Sequence, residues 1–141
     1  MADIFWDSNL FIYLFEAHPD YGEPVRRLRR SMRARGDRLF TSCLTVGEIL
    51  VKPVSRQEKE IAEKYLGFFS RSGITVLPFD LQAASKYAQI SQEKAIARPD
   101  AMQLAIAASA GINLFITNDD RLSRALVTGI DFISSLDRAP I

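Results

Sequence analysis

Arg98-Pro99-Asp100-Ala101-Met102-Gln103-Leu104-Ala105-Ile106-Ala107-Ala108-Ser109-Ala110-Gly111, followed by Leu114-Phe115-Ile116-Thr117-Asn118-Asp119-Asp120, decides the fold. Proline is favoured at the first helical position and glycine just past the last, and Pro99 and Gly111 hold those places. The helix between them is apolar on nearly every side and therefore belongs inside the molecule. The apolar strand Leu114 to Ile116 then carries Thr117 to Asp120 to its carboxyl end, where a parallel sheet opens its ligand crevice. Asp100, at the start of a buried helix, either caps that helix or faces a charge.

The 141 residues, 48% hydrophobic and 25% charged, predict one globular domain over 1–141. The longest apolar runs fall far short of the roughly 18 residues that span a bilayer, and no basic-then-apolar leader opens the chain, so a cytoplasmic protein with no membrane contact is expected. A single cysteine, Cys43, excludes an internal disulfide and a thiolate zinc site, and reads as a small buried apolar residue. The one histidine, His18, lies in the turn His18-Pro19-Asp20-Tyr21-Gly22. Any metal site must therefore be built from carboxylates. A net charge of +1 gives no global sign of nucleic-acid binding, which leaves local clustering to supply it.

From the amino end, Ile4-Phe5-Trp6 reads as a buried strand and Asp7-Ser8-Asn9 as its exit into a helix carrying Leu10, Tyr13 and Leu14. Asp7 or Ser8 is either an N-cap or part of a site. Pro24 opens a second helix with Val25, Leu28 and Met32 on one face and Arg26, Arg27, Arg29, Arg30, Arg33 and Arg35 around the rest, ended by Gly36. That face is either simply solvated or a phosphate-binding surface, for which Arg29, Arg30 and Arg33 are the candidates, with Lys52, Arg56 and Arg98 beside other motifs. Leu39 to Ser42 forms a second strand, with Thr45 as cap of a helix carrying Val46, Glu48, Ile49 and Leu50. Ser55-Arg56-Gln57-Glu58 has the form of a capping box before a helix with Ile61, Tyr65, Leu66 and Phe69 inward. Ile74 to Leu77 is the third strand, and Asp80 caps a helix to about Lys94. A short helix from Arg121 to Leu126 and a weak strand at Asp131-Phe132-Ile133 close the chain.

Alternating strands and helices predict a three-layer α/β/α fold with a mostly parallel central sheet of four to five strands. All carboxyl ends then share one edge, and this gathers Asp7, Glu48, Asp100 and Asp119. Carboxylates at close range raise one another's pKa unless a cation intervenes. An all-oxygen set favours Mg²⁺ or Mn²⁺, and the chemistry that fits is metal-assisted phosphodiester hydrolysis.

Four separated motifs, Phe5-Trp6-Asp7-Ser8-Asn9, Thr45-Val46-Gly47-Glu48-Ile49-Leu50, Pro99-Asp100-Ala101-Met102-Gln103-Leu104-Ala105 and Ile116-Thr117-Asn118-Asp119, resemble in order and spacing those of PIN-domain ribonucleases, specifically VapC-type toxins of type II toxin-antitoxin systems. The resemblance covers nearly the whole chain. It implies that Asp7, Glu48, Asp100 and Asp119 are the catalytic quartet, with Asp7, Asp100 and Asp119 holding Mg²⁺ or Mn²⁺. Asn9 and Thr117 match the polar helpers that position the first aspartate and the metal's waters. Ser8 stands where threonine is commoner. The adjoining Asp120 is read as a helix cap, which leaves Asp119 for the metal. An RNA substrate, a homodimer and a small antitoxin that covers the site are implied as well.

A housekeeping PIN-domain RNA-processing nuclease shares the same residues, and the sequence does not separate it from a toxin. Two other readings fit less well. A haloacid-dehalogenase-like phosphatase with Asp7 as nucleophile needs an aspartate where Asn9 stands. A non-catalytic RNA- or protein-binding adaptor has no chemical need for four retained acids.

Overall fold

The computed structural model describes residues 1–71 and 73–141. Its elements run β1 (Asp3–Trp6), α1 (Ser8–Phe15), α2 (Gly22–Arg35), β2 (Arg38–Ser42), α3 (Cys43–Ser55), α4 (Lys59–Ser70), β3 (Ile74–Leu77), α5 (Leu81–Ile90), α6 (Arg98–Ser109), β4 (Leu114–Thr117), a 3₁₀ turn (Leu122–Arg124) and β5 (Phe132–Ser135). Among the described residues the five strands form one sheet in the order β3-β2-β1-β4-β5, every neighbouring pair parallel. The three-layer α/β/α expectation is met, with a wholly parallel sheet.

Period-two alternation sorts the strand residues into the two flanking layers. Ile4, Trp6, Leu39, Leu114 and Ile116 face the side covered by α1, α2 and α4, where they pack with Phe11, Val25, Met32 and Phe69. Phe5, Phe40 and Phe115 face the other side, against Ala83 of α5 and Leu104, Ala107 and Ala108 of α6. Register sets Phe5 opposite Phe115, and their rings stack at 4.8 Å and 8°. The helix α6 is as deep as its composition demands: Ala101 and the whole run Gln103 to Ala108 are buried. Gly111 ends it in the left-handed region at φ 67°.

Chain order turns round at β1. The chain lays β2 and β3 to one side of it and β4 and β5 to the other, so the β1/β4 boundary is a topological switch point, where such sheets open a crevice at their carboxyl edge.

Several local expectations are corrected. The first residue of α3 is Cys43, and Ser42 caps the helix by accepting from the Thr45 amide at 3.2 Å, so Thr45 is not the cap. As a first-turn residue Cys43 points outward and is exposed rather than buried. Ser55 does not open a capping box. It is the last residue of α3, its hydroxyl donates back to the Lys52 carbonyl at 2.9 Å, and α4 starts at Lys59 with no side-chain cap. On α4 Phe69 is buried, but Ile61 and Leu66 are exposed. Asp80 does cap α5, accepting from the Ala83 amide at 2.9 Å, though that helix stops at Ile90.

Candidate active site

Asp7 is the innermost acid. It follows β1 at the switch point, caps α1 by accepting the Ser8 amide on Oδ1 at 2.8 Å, and accepts the Thr117 hydroxyl on Oδ2 at 2.8 Å. The same carboxylate that caps α1 also stands within electrostatic reach of Glu48 and Asp119. Thr117, the last residue of β4 and fully buried, also accepts the Asp119 amide at 3.1 Å. One hydroxyl thus ties the ends of β1 and β4 together.

Glu48, one turn into α3, is joined to the same group by Ser8, whose hydroxyl donates to Glu48 Oε2 at 2.8 Å. Asp100 sits in the first turn of α6 and does not cap it; the N-cap is Ala97. It faces charge instead. Burial raises the Asp100 carboxyl above the ordinary range, Asp7 and Asp119 raise it further, and Arg121 opposes them. The Asp7 carboxyl is likewise raised, by burial first, against the Thr117 and Ser8 hydrogen bonds, with Glu48 and Asp119 adding to the rise. The fold therefore brings Asp7, Glu48, Asp100 and Asp119 within electrostatic reach of one another.

A correction concerns Asp119 and Asp120. Asp119 Oδ1 accepts the Arg121 and Leu122 amides at 2.9 and 3.3 Å, so Asp119, not Asp120, caps the following turn. It does so while lining, with Asp100, a cleft of about 900 Å³. Asp120 is exposed, and only its carbonyl is engaged, by the Ser123 hydroxyl at 2.9 Å. Asn9 lies in the first turn of α1 with its Oδ1 buried and unpartnered.

Behind the acids runs a buried relay that the sequence did not disclose. The Ser42 hydroxyl donates to Gln103 Oε1, and Gln103 Nε2 donates to Thr45 Oγ1 at 2.7 Å. It locks α6, which carries Asp100, to the start of α3, which carries Glu48. A glutamine inside an otherwise apolar helix was the available signal, since a buried amide must find partners.

The basic candidates separate. Arg29 is partly buried, its guanidinium donating to the Gly73 carbonyl just before β3, at the amino edge and so opposite the acids. Arg30 shares Glu23 with Arg26, both at 3.0 Å. Arg33 lies in the last turn of α2, which returns to the start of β2. Of the four candidate substrate-binding arginines, only Arg98, first residue of α6 and exposed, begins an element at the acidic edge.

A PIN domain family model matches residues 4–126. The chain belongs to the PIN domain family. This PIN domain resembles VapBC2 from Rickettsia felis, solved bound to a promoter DNA fragment, at 16% identity and TM-score 0.73 over 94% of this chain and 97% of that one. It resembles DNA-bound VapBC from Salmonella typhimurium at 26% identity and TM-score 0.69, over 96% and 99%. It resembles VapC20 of Mycobacterium tuberculosis, a toxin that cleaves the sarcin-ricin loop, at 17% identity and TM-score 0.71, over 90% and 98%. No curated protein matches it.

The donor set of this PIN domain, all carboxylate oxygens with two of the acids raised by burial and by their neighbours, fits a hard divalent cation in kind and charge. Among the described residues no three His, Cys, Asp or Glu side chains close around one ion position. An ion held here would keep several waters, as Mg²⁺ does. No helix is long and apolar enough to cross a membrane among the described residues.

Proposed function

We propose that the chain is a metal-dependent endoribonuclease and the toxin of a toxin-antitoxin pair. One observation carries this reading: four acids from distant parts of the sequence meet at the β1/β4 switch point, and two of them, Asp7 and Asp100, are raised by burial first and by their acidic neighbours in addition. Family membership and the likeness to VapBC structures support the nuclease class. The M. tuberculosis neighbour, a toxin that cleaves the sarcin-ricin loop, supports RNA as the substrate.

In this reading Asp7, Asp100 and Asp119 would hold Mg²⁺ or Mn²⁺, directly or through water, and the bound ion would supply Lewis-acid activation of a water and charge stabilisation at the phosphate and the leaving 3′ oxygen. Thr117 keeps Asp7 in place by donating to Oδ2. Glu48, held by Ser8, orients the attacking water and takes its proton. The products carry a 5′ phosphate and a 3′ hydroxyl. A small antitoxin would cover the acids, a basic side chain of its own standing in for the ion's charge. Exposed Val51 and Val54 on α3 and Leu81 at the start of α5 offer apolar surface to a second copy of the chain.

The test is inducible expression of wild type beside Asp7→Asn, with sequencing of new RNA 5′ ends and cleavage by the purified proteins. Discrete cuts from wild type alone, abolished by EDTA, are expected. Full activity in EDTA overturns the reading.

A further inference from the structure

Asn118, Asp119 and Asp120 follow β4 and belong to neither a helix nor a strand, so the place of the Asp119 carboxylate depends on what holds this short segment. One hold is the Asp119 amide on the Thr117 hydroxyl at 3.1 Å. The other comes from outside the acids: Asn118 Nδ2 donates to the Tyr13 hydroxyl at 3.0 Å. Tyr13 lies on α1, the helix that Asp7 caps, so one helix carries Asp7 at its start and the anchor of the Asp119 segment further along. Both partners are half-buried, where water competes less for the bond. The phenol is itself braced. Its ring packs against His18 at 4.9 Å and stacks with Tyr21 at 4.9 Å and 29°. His18 is locked in turn: Nδ1 accepts the Asp20 and Tyr21 amides at 3.1 and 3.2 Å, and its own amide donates to the Tyr13 carbonyl at 2.9 Å. Gly22 lets this turn close on α1, because a Cβ there would crowd the Tyr13 carbonyl oxygen at 3.3 Å and the Ala17 carbonyl carbon at 3.2 Å.

We propose that Tyr13 is a positioning residue: through Asn118 it fixes the path of the segment after β4 and so sets where the Asp119 carboxylate stands relative to Asp7. The inference rests on the nuclease reading only for the use made of Asp119; the positioning rests on the bond between Tyr13 and Asn118. The Arg121 and Leu122 amides that Asp119 Oδ1 accepts follow it directly in the chain, so they shape the turn without tying it to β1 or α1. With Thr117 alone the segment can pivot. With Thr117 and Tyr13 it has two fixed points, both linked to Asp7, one by a hydrogen bond and the other along α1. The turn from His18 to Gly22 thereby gains a task, which is to keep one ring still. Groups that only orient a metal ligand are worth roughly 10–100-fold in metal affinity or activity, and Tyr13 stands behind that shell, where a smaller effect is expected.

The test uses Tyr13→Phe, which keeps the ring and its stacking and removes only the hydroxyl, together with Asn118→Ala and the double variant. Tyr65→Phe on α4, whose ring stacks on Phe15 at 4.6 Å, is the control for loss of a phenol elsewhere. In metal-free protein, hydrogen exchange of the Asp119 amide, followed by NMR, should rise about fivefold in both single variants, the worth of one net hydrogen bond. Mn²⁺ affinity, titrated directly by calorimetry, should fall about fivefold in each, and the double variant should lose no more than either single one, as two ends of one bond require. Tyr65→Phe should move neither quantity. A role confined to stability would lower the Tm of Tyr13→Phe and leave the Mn²⁺ affinity of the folded protein where it was. Unchanged exchange or unchanged Mn²⁺ affinity in Tyr13→Phe therefore overturns the proposal, and so do losses that add in the double variant. Should both quantities follow the expectation while wild type cuts no RNA, the nuclease reading fails and the positioning role stands.

Discussion

The molecule carries two like-charged clusters, and they are treated in opposite ways. On α2 the arginines fan outward and several are neutralised where they stand: Arg26 and Arg30 by Glu23, Arg35 by Asp37 at 3.1 Å. Glu23, so flanked, is held below the usual carboxylate range. At the carboxyl edge the acids lie within electrostatic reach of one another, from buried Asp7 out to exposed Glu48 and Asp119, and Asp7 and Asp100 are raised by burial and by these neighbours. Six arginines within ten residues make the louder signal in the sequence. The fold gathers the quieter group at the switch point, and among the described residues none of its four acids is in an ion pair within 4.0 Å.

Substitutions should separate the two clusters, beginning with the largest effect. Asp7→Asn or Asp100→Asn should lower metal-dependent RNA cleavage by more than about 100-fold, since even outer-shell groups of a metal site are worth roughly 10–100-fold. Circular dichroism should show the fold intact, and cleavage within about tenfold of wild type would break the contrast. Gln103→Leu should cost about 1–3 kcal/mol in denaturant unfolding by stranding Ser42 and Thr45, and should lower cleavage as α3 and α6 lose their lock.

A smaller effect concerns stability and pH. The folded pKa of Asp7 is raised, so the folded state binds that proton more tightly than the unfolded state does. Stability without divalent ions is then fuller at acid pH and falls as pH rises through the raised value. In EDTA the Tm of wild type should drop relative to Asp7→Asn as pH rises above the ordinary carboxylate range, and Mn²⁺ should restore wild type more than the variant. A flat difference with pH would mean that burial and the neighbouring acids do not hold the Asp7 proton. Smallest of all, the triple change Arg29→Ala, Arg30→Ala, Arg33→Ala should leave the salt slope of RNA binding nearly unchanged. A slope reduced by about 2, as three phosphates at about 0.7 each would give, would return α2 to the substrate path.

How far the sequence revealed this arrangement depends on whether a feature is local. The buried character of α6, its Pro99 start and Gly111 end, and the alternation that sends Phe5 and Ile4 to opposite layers are periodic and close-range, and they were readable. The four acids could be placed at one edge because parallel topology allows little else. The Asp119/Asp120 choice turned on which amides lie within reach of one oxygen, a matter of backbone path that residue types do not encode. Ser55 misled because its hydroxyl satisfies the helix before it rather than the one after it.

The sheet order has one more consequence, in time rather than in space. β4 lies between β1 and β5, yet it is translated after β2, β3 and the helices α1 to α6. Asp7 and Glu48 leave the ribosome early, but Thr117 must dock beside β1 before its hydroxyl can fix Asp7 and before Asp119 can join the group. A chain released short of Leu114–Thr117 lacks the strand that completes the cluster. Assembly of the acids is thus tied to synthesis through β4, and a copy that stops before it carries the early motifs without the assembled cluster.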